Sequence, residues 1–306
     1  MNWTLMSALQ WSADFLKTKG YESPRVDAEI LLCSVLGFRR VELYTNFDRP
    51  LDEAERERYR NLIRRRVTGE PVAYILGEKG FFGRDFFVSS AVLIPRPETE
   101  LLVERVLAAI TAQLEVDPSR QIRVLDAGTG SGCIAISIAA FWLESLANRF
   151  TGASLAVDAW DVSEEALAVA SKNAERHGVA TLVRFARTDM LDPAVYREGA
   201  GGSGWNFIVS NPPYIGDEEF AGLSSGVKDF EPRLALWGHP DGLHFYRKLA
   251  QFARPATAEL GKIFLEIGFQ QGESVKALLQ SHGWDAVSVE LDYARHPRNV
   301  IAVNPR

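Results

Sequence analysis

Cysteine and histidine are scarce in this sequence of 306 residues. It contains two cysteines and five histidines, and Cys33 and Cys133 lie far apart, each inside an apolar stretch. No spacing among these residues resembles a zinc site, so we expect no bound metal. Two isolated thiols are typical of proteins from a reducing compartment, which favours a cytoplasmic location.

Long apolar runs and an excess of positive charge are also missing. No run of about 18 apolar residues occurs, and no basic segment followed by an apolar one opens the chain, which argues against membrane insertion and secretion. The formal net charge is -6. Proteins that bind nucleic-acid phosphates usually carry a basic surface, so we expect no direct nucleic-acid binding. The hydrophobic content of 46% is ordinary for a globular protein with a sizeable core.

The pattern of residues divides the chain into three predicted parts. Residues 1–73 form helices, one of which starts at Ser23-Pro24 and another, densely charged, at about Asp52. The charged helix is interpreted as a solvated face with internal ion pairs; a docking surface for an acidic protein partner is the alternative. Glycines between aromatic stretches predict a β-hairpin linker over residues 74–95. Residues 96–306 form a larger domain.

Strands alternate with helices in this larger domain. Apolar strands are predicted at 123–126, 155–160, 181–186, 207–210 and 262–267, with helices between them and two further strands at the end. Such alternation predicts an α/β fold with a mostly parallel sheet covered on both faces. The glycine-rich run 199–204 is predicted to be a short flexible loop.

A glycine-rich turn follows the first of these strands. It consists of Asp126, Ala127, Gly128, Thr129, Gly130, Ser131 and Gly132. Glycines let a ligand approach the backbone closely, since no Cβ is in the way. The turn lacks the lysine of a phosphate-binding loop, and the Asp126 carboxylate would repel a pyrophosphate but suits an ammonium group. These features favour S-adenosylmethionine, which carries an ammonium and a sulfonium and no phosphate.

Two later acidic positions complete the predicted cofactor site. A carboxylate at the end of the second strand can accept hydrogen bonds from ribose hydroxyls, and we prefer Asp161 for this role over the nearby Asp158. Asp189 and Met190 follow the third strand. Asp189 could accept from the adenine amine and Met190 could pack on the ring, although a surface-loop position for Asp189 is an equal alternative.

A stiff loop, Asn211-Pro212-Pro213-Tyr214, follows the fourth strand. Two prolines fix the backbone and remove two donors, so the segment presents mainly carbonyl acceptors, to which Asn211 adds its side-chain oxygen. Two fixed acceptors would hold a planar NH2 group and turn its nitrogen lone pair toward a methyl donor. We therefore predict N-methylation of an amide or amine, with Tyr214 stacking on the substrate.

Several motifs beyond this loop resemble one family. They are Gly69–Gly77, Leu93–Glu100, Glu231–Leu236, Asp241–Leu243 with Tyr246 and Arg247, and Leu265–Gly268. Together they resemble the peptide chain release factor N5-glutamine methyltransferases, the PrmC/HemK family, over nearly the whole chain. The resemblance implies a Rossmann-like class I S-adenosylmethionine-dependent methyltransferase domain behind a small helical domain that docks the substrate. It implies cofactor binding by 128–132, Asp161, Met190 and Asn211, and glutamine binding by 211–214.

The implied substrate is the glutamine of the Gly-Gly-Gln loop in class 1 release factors, methylated on its side-chain nitrogen. Alternatives are a ribosomal-protein glutamine, an adenine amino group in nucleic acid, and, from another class, a non-catalytic protein that binds release factors. Three acidic residues near the motifs are interpreted as structural: Glu98 and Glu100 at a helix start, and Glu266 as a buried, hydrogen-bonded strand carboxylate.

Overall fold

A computed structural model describes residues 3–305, which divide into two compact units. The first unit extends to Glu78 and also takes in Ser224–Phe230. The second comprises Lys79–Leu223 and the chain from Glu231 onward. The first unit is helical, whereas the second contains the strands of the main sheet.

Two helices show the expected local signals at their ends. The capping box of Asp52 and Glu55 starts the charged helix, and Gly37, in the left-handed conformation, ends the second one. No helix in the described part of the chain is long and apolar enough to cross a membrane. The helices are α1 (Leu5–Thr18), α2 (Pro24–Leu36), α3 (Arg40–Thr45), α4 (Glu53–Val67), α5 (Val72–Leu76), α6 (Pro97–Val116), α7 (Cys133–Phe141), α8 (Glu164–Arg176), α9 (Pro193–Ala200), α10 (Asp217–Ala221), α11 (Ser225–Lys228), α12 (Arg233–Leu236), α13 (His244–Phe252) and α14 (Gly272–Ser281).

The strands form a two-stranded hairpin and a seven-stranded sheet. They are β1 (Glu78–Phe81), β2 (Arg84–Phe87), β3 (Gln121–Ala127), β4 (Ser154–Asp161), β5 (Val183–Arg187), β6 (Trp205–Ser210), β7 (Thr257–Glu266), β8 (Asp285–Leu291) and β9 (Pro297–Val303). The large sheet has the order β5-β4-β3-β6-β7-β9-β8, parallel from β5 to β7 and antiparallel at β9 and β8. The predicted α/β class and mostly parallel sheet are confirmed.

Apolar side chains cover both faces of this sheet. The residues of β6 are buried throughout, as the continuous apolar run from Phe207 to Val209 requires for a central parallel strand. One core lies between the sheet and helices α6 and α7, and a second packs against α13 and α14. These layers hold the carboxyl ends of β3, β4 and β6 at a common edge.

The helical unit has its own core. Leu5, Leu9 and Leu16 of α1 are fully buried, as are Leu31 and Leu32 of α2. Helix α4 contributes Tyr59 and Ile63 to this core, although most of its other residues are charged. Of the ion pairs predicted along α4, Arg60 pairs with Glu57, whereas Arg65 and Arg66 pair with acids outside the helix. Helix α4 therefore forms ion pairs both within itself and with residues outside it.

Four local predictions differ from the structure. The hairpin is shorter than predicted and starts at Glu78, because Tyr74 belongs to α5, which ends at the left-handed Gly77. Gly199 and Ala200 are the end of α9 rather than part of a loop, since Asp192 and Pro193 start a helix there. Helix α3 was not predicted, and neither were the short helices α10, α11 and α12.

Candidate functional site

A cavity opens at the carboxyl edge of the large sheet. The chain runs from β3 outward to β4 and β5 on one side, and then from β6 to β7 on the other, so the strand order reverses beside β3. Ligands of open α/β sheets bind in the crevice that such a reversal leaves. The cavity has a volume of about 250 Å³ and is lined by the turn after β3, the ends of β4 and β6, and segments from α6 and α13.

The glycine turn forms one wall of the cavity. Gly128, Thr129, Gly130 and Ser131 line it, and the backbone N–H groups of Gly128 and Thr129 donate to the Trp160 carbonyl at 2.9 and 2.8 Å. Gly128 and Gly130 have φ angles of +83° and +56°. Gly132 has a φ of +81° as well. Residues with a Cβ rarely adopt these φ values, which explains all three glycines.

Asp126 and Gly132 lie behind this wall and do not line the cavity. Asp126 is fully buried and accepts from the Thr129 hydroxyl at 2.7 Å and from the Ala135 N–H at 3.2 Å. Burial raises the pKa of its carboxyl to about 7, against the opposing effect of these hydrogen bonds. A Cβ on Gly132 would lie 2.7 Å from Ile136. Both residues shape the turn from within.

The two candidate carboxylates on β4 lie in different surroundings. Asp161 lines the cavity, and its oxygens accept from the Gly130 N–H at 2.9 Å and the Ser163 N–H at 3.0 Å. Asp158 does not line it. Its carboxylate forms an ion pair with Arg184 at 2.8 Å and accepts from the Trp205 indole at 2.7 Å. Only Asp161 is therefore placed to meet a ligand in the cavity.

Asp189 and Met190 line the cavity next to the glycine turn. The Met190 methyl group lies so close to Gly128 that a Cβ there would approach it to 2.8 Å. The Met190 carbonyl accepts from the buried Tyr196 hydroxyl at 3.0 Å, and Asp189 accepts from the Leu191 N–H at 2.8 Å. These two hydrogen bonds therefore fix the conformation of the segment that contains Asp189 and Met190.

The Asn-Pro-Pro-Tyr loop reaches the same cavity through only two of its residues. Asn211 and Pro213 line it, whereas Pro212 and Tyr214 do not. Tyr214 packs against the core that includes residues of α13 and α14, and burial raises the pKa of its hydroxyl. Its carbonyl accepts from the Gln271 side chain at 3.0 Å. The loop is thereby fixed at its far end, away from the cavity.

Several lining residues were not among the predicted site residues. They are Ala91, Val92, Leu93, Pro95, Arg96, Thr99, Cys133, Ile134, Val162, Ser163, Ala166, Thr188, Leu191, Pro232, Leu234, Ala235 and Phe245. Two of the motifs that carry the family resemblance, 93–100 and 231–236, supply many of them. Glu231 connects these motifs, because its carboxylate accepts from the Ile94 N–H at 3.1 Å and from Arg96 at 2.6 Å. The motifs therefore indicate these lining residues in the sequence, whereas the periodicity of apolar residues does not.

The two acids predicted at the start of α6 differ in their contacts. Glu100 accepts from the Phe82 N–H at 2.9 Å and so makes a structural contact with the hairpin. Glu98 lies exposed in the first turn of the helix. Glu266, at the end of β7, is buried, and one of its carboxylate oxygens has no hydrogen-bond partner. Burial raises the pKa of its carboxyl to about 7.

The charge of the cavity suits a ligand without phosphate groups. Its charged lining residues are Arg96, Asp161 and Asp189, and Arg96 is already paired with Glu231. No group of three or more metal-binding side chains occurs among residues 3–305. A nucleoside with a positively charged substituent fits this lining better than a dinucleotide does.

Comparison with known proteins agrees with this architecture. Residues 7–77 match the family described as the PrmC N-terminal domain, and residues 99–222 match the methyltransferase small domain. A release factor glutamine methyltransferase from Chlorobaculum tepidum is 40% identical over 97% of this chain and 96% of that protein. The chain belongs to this family. Family members of the same name from Nitratidesulfovibrio vulgaris and Bacillus subtilis are 39% and 38% identical, over 98% and 90% of the chain and 95% and 89% of their own.

A solved structure with low sequence identity to this chain shares its fold. The catalytic domain of hMettl16, in complex with MAT2A 3'UTR hairpin 1, superimposes with a TM-score of 0.53 at 15% identity. The match covers 85% of this chain and 84% of that one. At this identity the likeness extends to the fold alone, which confirms the predicted Rossmann-like methyltransferase architecture.

Proposed function

We propose that this protein transfers a methyl group from S-adenosylmethionine to the side-chain amide nitrogen of the glutamine in the Gly-Gly-Gln loop of class 1 release factors. The observation that carries the proposal is the position of Asn211 and Pro213 in the same cavity as the glycine turn and Asp161. The loop proposed to bind the amide and the turn proposed to bind the nucleoside thus face one space. The name shared by the relatives supports the choice of substrate.

The cavity fits the proposed cofactor by the residues that surround it. The turn at 128–131 offers a wall with almost no side chains, and Asp161 has carboxylate lone pairs left for ribose hydroxyls. Met190 and Asp189 would lie beside the adenine, as predicted. Bound S-adenosylmethionine would supply an electrophilic methyl carbon on its sulfonium, and the sulfur would keep the electron pair of the broken S–CH3 bond, so that S-adenosylhomocysteine is the leaving group.

The protein's own contribution to the reaction is to orient the amide and stabilise its charge. The Asn211 side-chain oxygen and a backbone carbonyl of the proline pair would accept the two N–H hydrogens of the glutamine, which turns the nitrogen lone pair toward the methyl donor. The same acceptors stabilise the positive charge that develops on nitrogen as the new N–C bond forms. The methylated nitrogen then loses one proton to solvent, so no strong base is needed.

The proposed substrate is tested by a labelling reaction. The protein is incubated with S-adenosylmethionine carrying a labelled methyl group and, in separate reactions, with a class 1 release factor, ribosomal protein or DNA. We expect label only in the release factor, and mass spectrometry of its tryptic peptide should place one added CH2 on the Gly-Gly-Gln glutamine. Label confined to DNA or ribosomal protein would contradict the proposal. No cofactor binding in calorimetry would instead favour a non-catalytic binding protein.

We further propose that the helical unit docks the release factor through a groove between α1 and α4. The groove has a volume of about 540 Å³, and its apolar lining includes Trp11, which is 53% exposed and stacks on Phe15. Its charged lining residues, Arg56, Arg60 and Arg64, are all arginines although the whole chain has a net charge of -6. This local charge suits an acidic, partly apolar segment of the partner.

Charge reversal in the groove tests the docking proposal. We expect Arg64→Glu to raise KM for the intact release factor about fivefold, because an attraction is replaced by a repulsion worth on the order of 1 kcal/mol. The variant should keep its kcat and its KM for an isolated Gly-Gly-Gln peptide. Arg58→Glu is the control, since Arg58 is exposed on the same helix but does not line the groove. Equal effects of the two reversals would argue against the groove.

The two carboxylates of β4 give a separate prediction. We expect Asp161→Asn to raise the cofactor Kd about tenfold, because a hydrogen bond to a charged acceptor is worth on the order of 1.5 kcal/mol. Asp158→Asn should leave that Kd unchanged and lower the melting temperature, since it weakens the ion pair of Asp158 with Arg184. Calorimetry and thermal unfolding measure the two effects. The opposite result, a raised cofactor Kd for Asp158→Asn and an unchanged one for Asp161→Asn, would show that Asp158 binds the cofactor.

A further inference from the structure

The Asn-Pro-Pro-Tyr loop has few groups by which the protein can hold it. Pro212 and Pro213 have no backbone N–H, so neither can donate a hydrogen bond that would anchor the loop. Directly after the prolines, the Tyr214 carbonyl accepts from the side-chain NH2 of Gln271 at 3.0 Å. The position of the loop therefore depends on Gln271, which lies outside all the motifs that carry the family resemblance.

Gln271 uses both ends of its side-chain amide. Its NH2 group also donates to the Gly242 carbonyl at 3.3 Å, and its oxygen accepts from the Gly268 N–H at 3.0 Å. A backbone carbonyl can only accept and a backbone N–H can only donate, so these partners fix which end of the amide faces Tyr214. The backbone N–H of Gln271 donates to the Gly268 carbonyl at 2.9 Å, which fixes the residue itself.

The two glycines bound by Gln271 belong to two of the resemblance motifs, Asp241–Leu243 and Leu265–Gly268. Both allow a close approach. A Cβ on Gly242 would lie 2.3 Å from the Tyr214 carbonyl oxygen and 2.7 Å from the Gln271 side-chain nitrogen. A side chain there would displace the carbonyl or the amide, so the missing Cβ preserves their hydrogen bond. These two motifs thus form a support for Gln271 behind the loop.

The chain that follows the loop is held by backbone contacts. The Ile215 N–H donates to the Leu236 carbonyl at 3.0 Å, and the Gly238 N–H donates to the Ile215 carbonyl at 2.9 Å. A Cβ on Gly238 would lie 2.8 Å from the carbonyl oxygen of Pro213, a residue that lines the cavity. Backbone therefore fixes the exit of the loop, and the Gln271 side chain fixes the carbonyl that comes just before this exit.

We infer that Gln271 is a positioning residue for methyl transfer, whose side-chain amide sets the direction in which Asn211 and Pro213 face the substrate. The inference rests on the proposed function, because that function gives the loop a substrate amide to orient. Gln271 does not line the cavity, so it acts through the loop. The φ angles of the two prolines are fixed by their rings, so a movement of the Tyr214 end displaces the acceptors as well. Misplacement of reacting groups by about 1 Å can lower a rate about 100-fold.

Removal of the amide tests this role. Gln271→Met keeps the length of the side chain and removes both hydrogen-bonding ends, and we expect it to lower kcat about tenfold. The cofactor Kd should stay within about twofold, because the Gln271 side chain bonds to Tyr214, Gly242 and Gly268 rather than to the glycine turn. Single-turnover kinetics and calorimetry measure the two quantities.

Asn304→Leu is the matched control for the loss of a side-chain amide that binds backbone. Asn304 is 4% exposed and donates to the Thr257 carbonyl at 2.7 Å, at the opposite end of β7 from Gly268. It does not line the cavity. This variant should have a lower melting temperature and an unchanged kcat, which separates a general loss of stability from a loss of alignment.

Gln271→Glu tests the two ends of the amide separately. The carboxylate keeps an acceptor for the Gly268 N–H but has no hydrogen for the Tyr214 carbonyl, so at about pH 8 its kcat should be no higher than that of Gln271→Met. Protonation supplies one hydrogen and is favoured because two carbonyl oxygens face the group. Relative to the wild type at the same pH, its kcat should therefore rise about threefold between about pH 8 and pH 6. The same ratio for Gln271→Met should not change with pH.

The outcomes distinguish this inference from the proposed function. If the wild-type protein methylates no release factor, the proposed function is wrong. If it does, and Gln271→Met retains its kcat or only weakens cofactor binding, the positioning role is refuted while the proposed function stands. An equal loss of kcat in Asn304→Leu, or a relative kcat of Gln271→Glu that does not depend on pH, would refute it as well.

Discussion

Asn211→Ala is expected to lower kcat for release-factor methylation by at least about 100-fold, because it removes an acceptor that orients the reacting nitrogen and stabilises its charge. The cofactor Kd should change by less than about threefold. The glycine turn and Asp161 that would hold the cofactor make no hydrogen bond to the Asn211 side chain, whose one partner among residues 3–305 is Thr99. Single-turnover kinetics with saturating cofactor and calorimetry measure the two quantities separately.

Two further variants sharpen this prediction. Asn211→Asp retains an acceptor at the site but removes the NH2 that Thr99 binds, so we expect activity between that of the wild type and that of Asn211→Ala. Asn148→Ala, at an exposed position outside the cavity, should be indistinguishable from the wild type. Unchanged methylation by Asn211→Ala would mean that the proline loop does not clamp the amide, and a second acceptor would have to be sought.

The parts of the fold that could be predicted are those with repeating patterns. The buried strand β6 and the amphipathic helices α6 and α8 follow from the spacing of their apolar residues, which burial against a sheet requires. Helix α3, with six residues, and α12, with four, are too short to show any such spacing. Helix α9 was missed because its final residues belong to a glycine-rich run, where composition favours a loop.

The positions of candidate site residues could be predicted where the chemistry of one residue determines its place in the fold. Asp161 and Gly128 could be assigned from a strand end and a turn, because parallel strands bring their carboxyl ends to a common edge. Asp126 could not be distinguished from a lining residue, since its carboxylate turns inward to Thr129. Thr99 could not be linked to Asn211 at all, although its hydroxyl accepts from the Asn211 side chain. Thr99 lies on α6, far from Asn211 in sequence, and only packing brings the two residues together.

Gly128→Ala is the change expected to affect cofactor binding most, with a Kd raised about 30-fold or more. Two costs combine. The φ angle of +83° strains any residue with a Cβ by roughly 1–2 kcal/mol, and that Cβ would lie 2.8 Å from the Met190 methyl group. Met190 must then move within a wall of the cavity that the adenine is proposed to occupy. Calorimetry with S-adenosylmethionine measures the loss.

Gly178→Ala separates these two costs. Gly178, after α8, has a φ of +68°, but a Cβ there would meet nothing within 4 Å and it does not line the cavity. The Gly178→Ala variant should therefore show only the cost of backbone strain, which appears as a lower melting temperature with normal cofactor affinity. Combining Gly128→Ala with Met190→Ala removes the methyl group that the new Cβ would meet, and we expect this pair to bind cofactor more tightly than Gly128→Ala alone. Equal affinities of the single and double variants would show that the contact with Met190 does not contribute to the loss.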